Sequence, residues 1–229
     1  MSGLARAGIV AAILLSSSVA QAKPTSAEVL AQVERNYAAI RDYSADVEVA
    51  INSPQVHAAK TKATIYYKRP NKLKLVAKEG FAVLPRDAFP GNPVATIRAN
   101  FDAAYVGSGK AAGEPVHVLN LVPKTSQAEG TMKLLVDKRR GLIVGTEAEF
   151  GAAKFSSRWT YVRVDGRYWL PSQIRAEMSG AMSRPVFDPD EMKVVPPKSG
   201  KGTALVTFSN YRVNKGIPDS VFTEKKSQK

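Results

Sequence analysis

No cysteine occurs in the 229 residues. That absence excludes disulfides, thiolate metal ligands, a cysteine nucleophile and lipid attachment through an N-terminal cysteine. Histidine is nearly as scarce. His57 and His117 are the only two, and neither belongs to an HExxH or similar spacing. No GxSxG elbow is present. Gly107-Ser108-Gly109-Lys110 lacks the first glycine of a phosphate loop and the Ser/Thr after the lysine, so it reads as a turn. The one dense acidic cluster, Asp188, Asp190 and Glu191, stands beside prolines without the glycine of a calcium loop, and reads as a solvated loop. These gaps exclude thiol chemistry and leave metal chemistry without a ligand set. The expectation is a protein that is not an enzyme and needs neither cofactor nor metal.

Long apolar runs are missing too. Gly8–Leu15 (GIVAAILL) is far short of the ~20 residues that span a bilayer. With Arg6 before it and Ala20-Gln21-Ala22 after it, this run is the core of a secretory signal peptide, residues 1–22, cleaved after Ala22. Residues 23–229 are then one domain, exported to a periplasm or the cell exterior and stable through its core alone. The formal net charge is +13, and the leader removes only Arg6. A basic surface attracts anionic partners such as lipid headgroups or envelope polymers. Export and the lack of a binding motif argue against nucleic acid.

Thr25-Ser26-Ala27-Glu28 has the capping-box pattern. Leu30, Val33, Tyr37 and Ile40 follow at helical spacing, with Gln32, Glu34 and Arg35 on the other face. This predicts an amphipathic helix from Ser26 to Arg41. The period then changes to two: Ala45, Val47, Val49 and Ile51 alternate with more polar residues. Asn52-Ser53-Pro54 breaks the run. Alternation resumes over 61–68 and again with Leu73, Leu75 and Ala77, separated by Arg69-Pro70-Asn71, where proline demands a turn or a sheet edge. Residues 80–93 carry three prolines and two glycines and read as a loop or lid. Strand-like runs recur at 94–106, 115–122, 131–137 and 141–150, with a turn at Asp137–Gly141. Residues 155–165 and 167–178 flank Asp165-Gly166, a hairpin signal. A long excursion occupies 183–202, the final strand 203–213, and a short tail closes at Phe222.

About nine to eleven strands with no helices between them imply a largely antiparallel sheet. A sheet of that size curls, and its concave face needs a filler. The fold class is therefore mainly β with an α lid: a curled, half-open barrel covered by the N-terminal helix.

Tyr43-Ser44-Ala45 after the helix, YYKRPNKLKL (66–75), WTYVRVDGRYWLPSQI (159–174) and VTFSNYRVNKGIPDSVF (206–222) resemble, in this order, the LolA superfamily of outer-membrane lipoprotein carriers and lipoprotein-sorting relatives. The resemblance implies a monomeric periplasmic carrier. Its apolar cavity would take acyl chains of lipoproteins or lipids and deliver them towards the outer membrane, through inner- and outer-membrane partners. It implies that Arg69, with Pro70 setting the chain direction, holds the lid by hydrogen bonding. Leu73 stands where an aromatic commonly meets the membrane partner in that family. The candidate cavity residues are Tyr37, Ile40, Val47, Val49, Ile65, Tyr67, Leu73 and Leu75, although a closed core has the same alternation. Trp159 and Trp169 are wall or core. The alternative is a binding or sensor module on the same fold that regulates an envelope partner, suggested by the basic surface and the 183–202 excursion.

Overall fold

The computed structural model describes residues 23–52, 60–79, 92–124, 130–181, 186–188, 193–195 and 199–223. The expected leader, His57, residues 80–91 of the expected loop, Asp190, Glu191 and the end of the tail lie outside the described residues.

Helix α1 (Ser26–Ala38) starts at its capping box. Thr25 Oγ1 accepts from Glu28 N at 3.2 Å, and Glu28 Oε2 accepts from Thr25 N at 2.7 Å. It ends before the expected Arg41. The Arg41 amide donates to Asn214 Oδ1 at 2.7 Å instead of continuing the helical ladder, and the chain passes at once into β1 (Asp42–Asn52). β2 (Lys60–Lys68) and β3 (Lys72–Glu79) complete a first meander, with Arg69-Pro70-Asn71 as the turn between them and β3 at the sheet edge.

The expected strand over 94–106 is two elements, and this is a correction. α2 (Pro93–Asn100) is helical because Asn92 caps it, its Oδ1 accepting from Ala95 N at 3.2 Å, with proline in the first turn. β4 (Phe101–Ala111) follows. It contains Gly107–Lys110, so that segment is strand and not turn. A register shift between Tyr105 and Gly107 marks a β-bulge, and the Gly107 φ of +145° is one that glycine tolerates.

β5 (Glu114–Pro123), β6 (Thr131–Asp137), β7 (Ile143–Phe150), β8 (Ala153–Val164) and β9 (Tyr168–Ala181) continue as antiparallel neighbours. The excursion expected at 183–202 contains a two-stranded ribbon, β10 (Val186–Asp188) and β11 (Lys193–Val195). β12 (Ser199–Val213) starts within it, earlier than expected.

The ten-stranded sheet runs β3-β2-β1-β12-β9-β8-β7-β6-β5-β4, antiparallel throughout and not closed. β12 joins the two meanders by pairing with both β1 and β9. The tail lies on the first meander: Lys68 Nζ reaches Asp219 Oδ1 at 2.7 Å and Lys72 Nζ reaches its Oδ2 at 3.1 Å.

Register shows which side chains share the concave face. Val47, Val49 and Ile51 face Phe208, Val206 and Ala204 across β1–β12. The row continues through Ile174 and Ala176 into Trp159 and Ser157. α1 lays Val29, Leu30, Val33 and Tyr37 onto this face, and Val94 and Ile97 of α2 join them. Burying apolar area against water drives this packing, at roughly 25 cal/mol per Å². Leu119 of β5 is fully buried in the same cluster. Leu119→Ala is expected to cost about 2–5 kcal/mol, read as a lower urea midpoint at an unchanged slope.

Candidate functional site

Among the described residues, two sets of polar contacts tie α1 to turns of the sheet, besides the bridge from Glu34 to Arg98 of α2 at 2.8 Å. The first is at its C-terminus, where the last carbonyls have no helical partner. Arg69 Nη1 donates to Ala38 O at 3.0 Å, and Asn214 Nδ2 donates to Ala39 O at 2.9 Å. A cation at a helix C-terminus also meets the negative end of the helix dipole. Asn214 adopts φ +55°, a conformation asparagine tolerates better than most residues, and its Oδ1 accepts from Arg41 N. Arg69 sits in the turn after β2 and Asn214 just past β12, on opposite sides of β1.

The second set is the turn between β6 and β7. Gln32 Nε2 donates to Lys138 O at 3.2 Å, and Asn36 Nδ2 donates to Arg140 O and Gly141 O, both at 2.8 Å. Gly141 has φ +64°, and a Cβ there would stand 2.5 Å from Gln32 Cγ, so the close approach of helix and turn requires glycine. Asp137 organises the turn from within. It is 1% exposed and accepts from Arg139 N, Arg140 N and the Arg140 guanidinium. Burial pushes its carboxyl up, but the Arg140 and Arg139 hydrogen bonds and the Arg140 charge outweigh burial and hold it below the ordinary value of 3.8.

Tyrosines fill the space beneath the helix. Tyr43 stacks obliquely on Tyr67 at 5.2 Å and edge-on to Tyr211 at 5.8 Å. Burial pushes the Tyr37 hydroxyl up to about 12 and raises those of Tyr43, Tyr161 and Tyr211. All of them are therefore neutral at ordinary pH. Tyr161 donates to Ile143 O and Tyr211 to Pro171 O, both at 2.7 Å.

The expected cavity residues gather in one place. Tyr37, Ile40, Val47, Val49, Ile65 and Tyr67 are at most 4% exposed, and Leu73 and Leu75 pack partly buried against them. They form a closed seam between helix and sheet. Arg69 reaches the carbonyl of Ala38 at the helix end, and Pro70 O accepts a long hydrogen bond from Tyr67 Oη at 3.4 Å. Trp159 belongs to the concave wall, its indole donating to Ser157 Oγ at 2.9 Å, whereas Trp169 lies under the Arg140 and Arg163 guanidinium groups.

The open part of the concave face lies farther along the strands. A cavity of about 270 Å³ is lined by Ile51, Phe155, Ala176, Met178, Gly202 and Ala204, among others. Ile51 extends the Val47–Val49 row, so the seam runs straight into the cavity. Phe150 meets Phe155 edge-on at 6.1 Å near its mouth. A more polar depression of about 460 Å³, with Glu147, Glu149, Lys154 and Lys201, adjoins it. Sequence reading missed Gln32, Asn36, Asp137 and Asn214 as the residues that seat the helix. The signals were an Asp-x-x-x-Gly turn and an Asn-x-Gly after a strand, but their partners lie about a hundred or more residues away. Among the described residues, no three His, Asp or Glu side chains could jointly hold a metal ion.

An open antiparallel sheet curled around a docked N-terminal helix defines a half-barrel with a lid. No family model and no curated protein matches the sequence. Solved structures do. The chain is similar to a DUF1329 family protein from Desulfovibrio piger (16% identity, TM-score 0.56, 85% of this chain and 95% of that one). It is also similar to a LolA superfamily protein from Nitrosomonas europaea (11% identity, TM-score 0.56, 88% and 99%). A third is an outer membrane lipoprotein-sorting protein domain from Vibrio parahaemolyticus (10% identity, TM-score 0.52, 84% and 95%). The fold is LolA-like.

The depressed carboxyl of Asp137 sets a pH dependence. Its contribution to stability is complete above the ordinary value of 3.8 and is lost as pH falls through the lower folded value. Asp137→Asn is expected to lower stability at neutral pH by about 1–3 kcal/mol. Between about pH 6 and pH 3 it should lose less stability than the parent, as followed by urea unfolding.

Proposed function

We propose that this protein is a carrier of the cell envelope that takes up an acyl chain, of a lipoprotein or a lipid, along the concave face of its sheet. The observation that carries this reading is the continuity of the apolar row: Val47 and Val49 lie sealed under α1, while Ile51, next on the same face, opens into the cavity with Phe155, Ala176 and Met178. An acyl chain entering there gains about 0.8 kcal/mol per buried methylene without any catalytic group. As α1 lifts, the seam residues become further wall. As α1 re-seats, Arg69 and Asn214 recover its terminal carbonyls and the chain is expelled. The export signal read in residues 1–22 supports a periplasmic site of action, from which the cargo would be delivered towards the outer membrane.

Ala176 tests the pathway, because it sits in the open cavity and outside the sealed core. A palmitoylated peptide is expected to raise the melting temperature of the parent protein, as linkage requires, and to do so much less for Ala176→Trp. An unchanged melting temperature of the parent at saturating peptide would overturn the reading. Arg69→Leu should fold and take up the same peptide but release it more slowly. Loss of one hydrogen bond of roughly 1 kcal/mol from the closed state implies about a fivefold slower transfer to acceptor vesicles. Transfer at the parental rate would make Arg69 an ordinary surface arginine.

A further inference from the structure

Toward the other ends of the strands, away from the apolar cavity, α1 and β5 bound a second cavity of about 440 Å³. Its wall includes Gln32, Arg35 and Glu28 of α1 and His117 of β5. Beside it runs a continuous series of polar side chains from three elements. Lys138 Nζ, in the β6–β7 turn, donates to Ser108 Oγ at 2.6 Å. Ser108 Oγ lies 3.3 Å from Tyr105 Oη, and Tyr105 Oη lies 3.4 Å from His117 Nδ1. Neither the seat of α1 nor the apolar cavity uses any of these four side chains.

The charge balance here is one-sided. Glu28 is the carboxylate of the wall, and it is occupied: its Oε2 accepts from both the amide and the hydroxyl of Thr25. Glu114, across the β4–β5 edge, is paired with Arg139 at 2.6 Å. Arg35 and Lys138 have no ion-pair partner among the described residues. His117 has Nδ1 turned to Tyr105, and its Nε2 makes no hydrogen bond among the described residues. Burial and the Lys138 charge depress its basicity, a cost that an arriving anion reverses.

We propose that this cavity is a binding site for a phosphate group, held by the Lys138 ammonium, the Arg35 guanidinium and His117 Nε2. Tyr105 and Ser108 orient the imidazole and the ammonium. A guanidinium and an imidazole on the wall, with an ammonium beside them, suit a tetrahedral oxyanion, because each can donate a charge-assisted hydrogen bond to a different oxygen. The phosphate belongs either to a phospholipid headgroup or to a small soluble compound. This site is separate from the acyl cavity, so it stands or falls independently of the carrier reading.

Histidine NMR tests it directly, because the chain has only two imidazoles and His57 serves as the internal control. Inorganic phosphate, titrated against chloride at matched ionic strength, is expected to shift the His117 ring signals saturably. It should also raise their titration midpoint, with Lys138, Arg35, Glu28 and Tyr105 as the groups facing the ring. Lys138→Met, a change at a half-buried position in a turn held by Asp137, should weaken phosphate binding about tenfold or more while the melting temperature holds. A second arm uses dihexanoyl-phosphatidylglycerol. A response to this lipid alone, lost in Lys138→Met, assigns the site to a headgroup; an equal response to inorganic phosphate assigns it to a soluble phosphate. No phosphate-specific shift in either arm, or shifts that Lys138→Met leaves unchanged, overturns the proposal. Ala176→Trp should leave the inorganic phosphate response intact.

Discussion

The carbonyls at the end of α1 must find donors, and much of the fold is arranged so that they do. A helix as short as Ser26–Ala38 is marginal in water, and its last turn leaves acceptors without intrahelical partners. Two are met by side chains, Arg69 for Ala38 O and Asn214 for Ala39 O. These donors come from the β2–β3 turn and from just past β12, far apart in sequence. They flank the same helix end only because β1 sits between β2 and β12 in the sheet. The seat of the helix and the strand order therefore depend on each other. Lysine in place of Arg69 would keep the charge but lose the planar, multi-donor geometry of the guanidinium.

Once α1 is seated, the concave face divides into a sealed part and an open part. The sealed part buries Val29, Leu30, Val33, Tyr37 and Ile40 against the sheet. Exposing such side chains costs about 1.5–3 kcal/mol each. In the proposed carrier, about ten acyl methylenes, worth roughly 8 kcal/mol, offset some three to five of them. The two quantities are close enough for the same face to alternate between its own helix and a ligand. A much larger helix stripe would never yield, and a much smaller one would leave no force for expulsion.

Local signals in the sequence were legible where a residue acts on its near neighbours. Thr25 and Glu28 fix the start of α1, and alternation in 45–51 and 61–68 fixes which side chains face inward. Asn92 and Pro93 carried an equally local helix signal, yet the β-branched Val94, Thr96 and Ile97 made the segment read as strand. Tertiary packing of Val94 and Ile97 into the core decides for helix. Gly107–Lys110 looked like a turn because glycines often make turns, but there they absorb a bulge inside β4. The insertion of β12 between the meanders had no local signature. Neither did the partnership of Asn36 with Gly141, which depends on two segments meeting through the sheet. The candidate cavity residues were found as a correct dry face. Whether a dry face is packed or open depends on how far the helix reaches, and that length lies in the fold.

The helix seat combines satisfied polar contacts at its rim with a poorly satisfied hydroxyl in the seam beneath it. Gln32 and Asn36 satisfy turn carbonyls, and Arg69 and Asn214 satisfy helix carbonyls, so every polar contact at the rim has a partner of good geometry. Tyr37, one residue before the end of α1 and packed into the seam, is different: its buried hydroxyl makes no hydrogen bond of good geometry among the described residues and lies beside the Tyr161 hydroxyl. The adjacent Tyr161 hydroxyl gives its proton to Ile143 O. A buried hydroxyl without a well-formed hydrogen bond costs up to about 1–3 kcal/mol relative to water. That cost exists only while α1 is down, because lifting the helix hydrates Tyr37. The same residue therefore contributes apolar area to the closed state and a polar penalty against it. In the proposed carrier, the closed helix is held by polar contacts at its rim, over a seam in which one buried hydroxyl favours release.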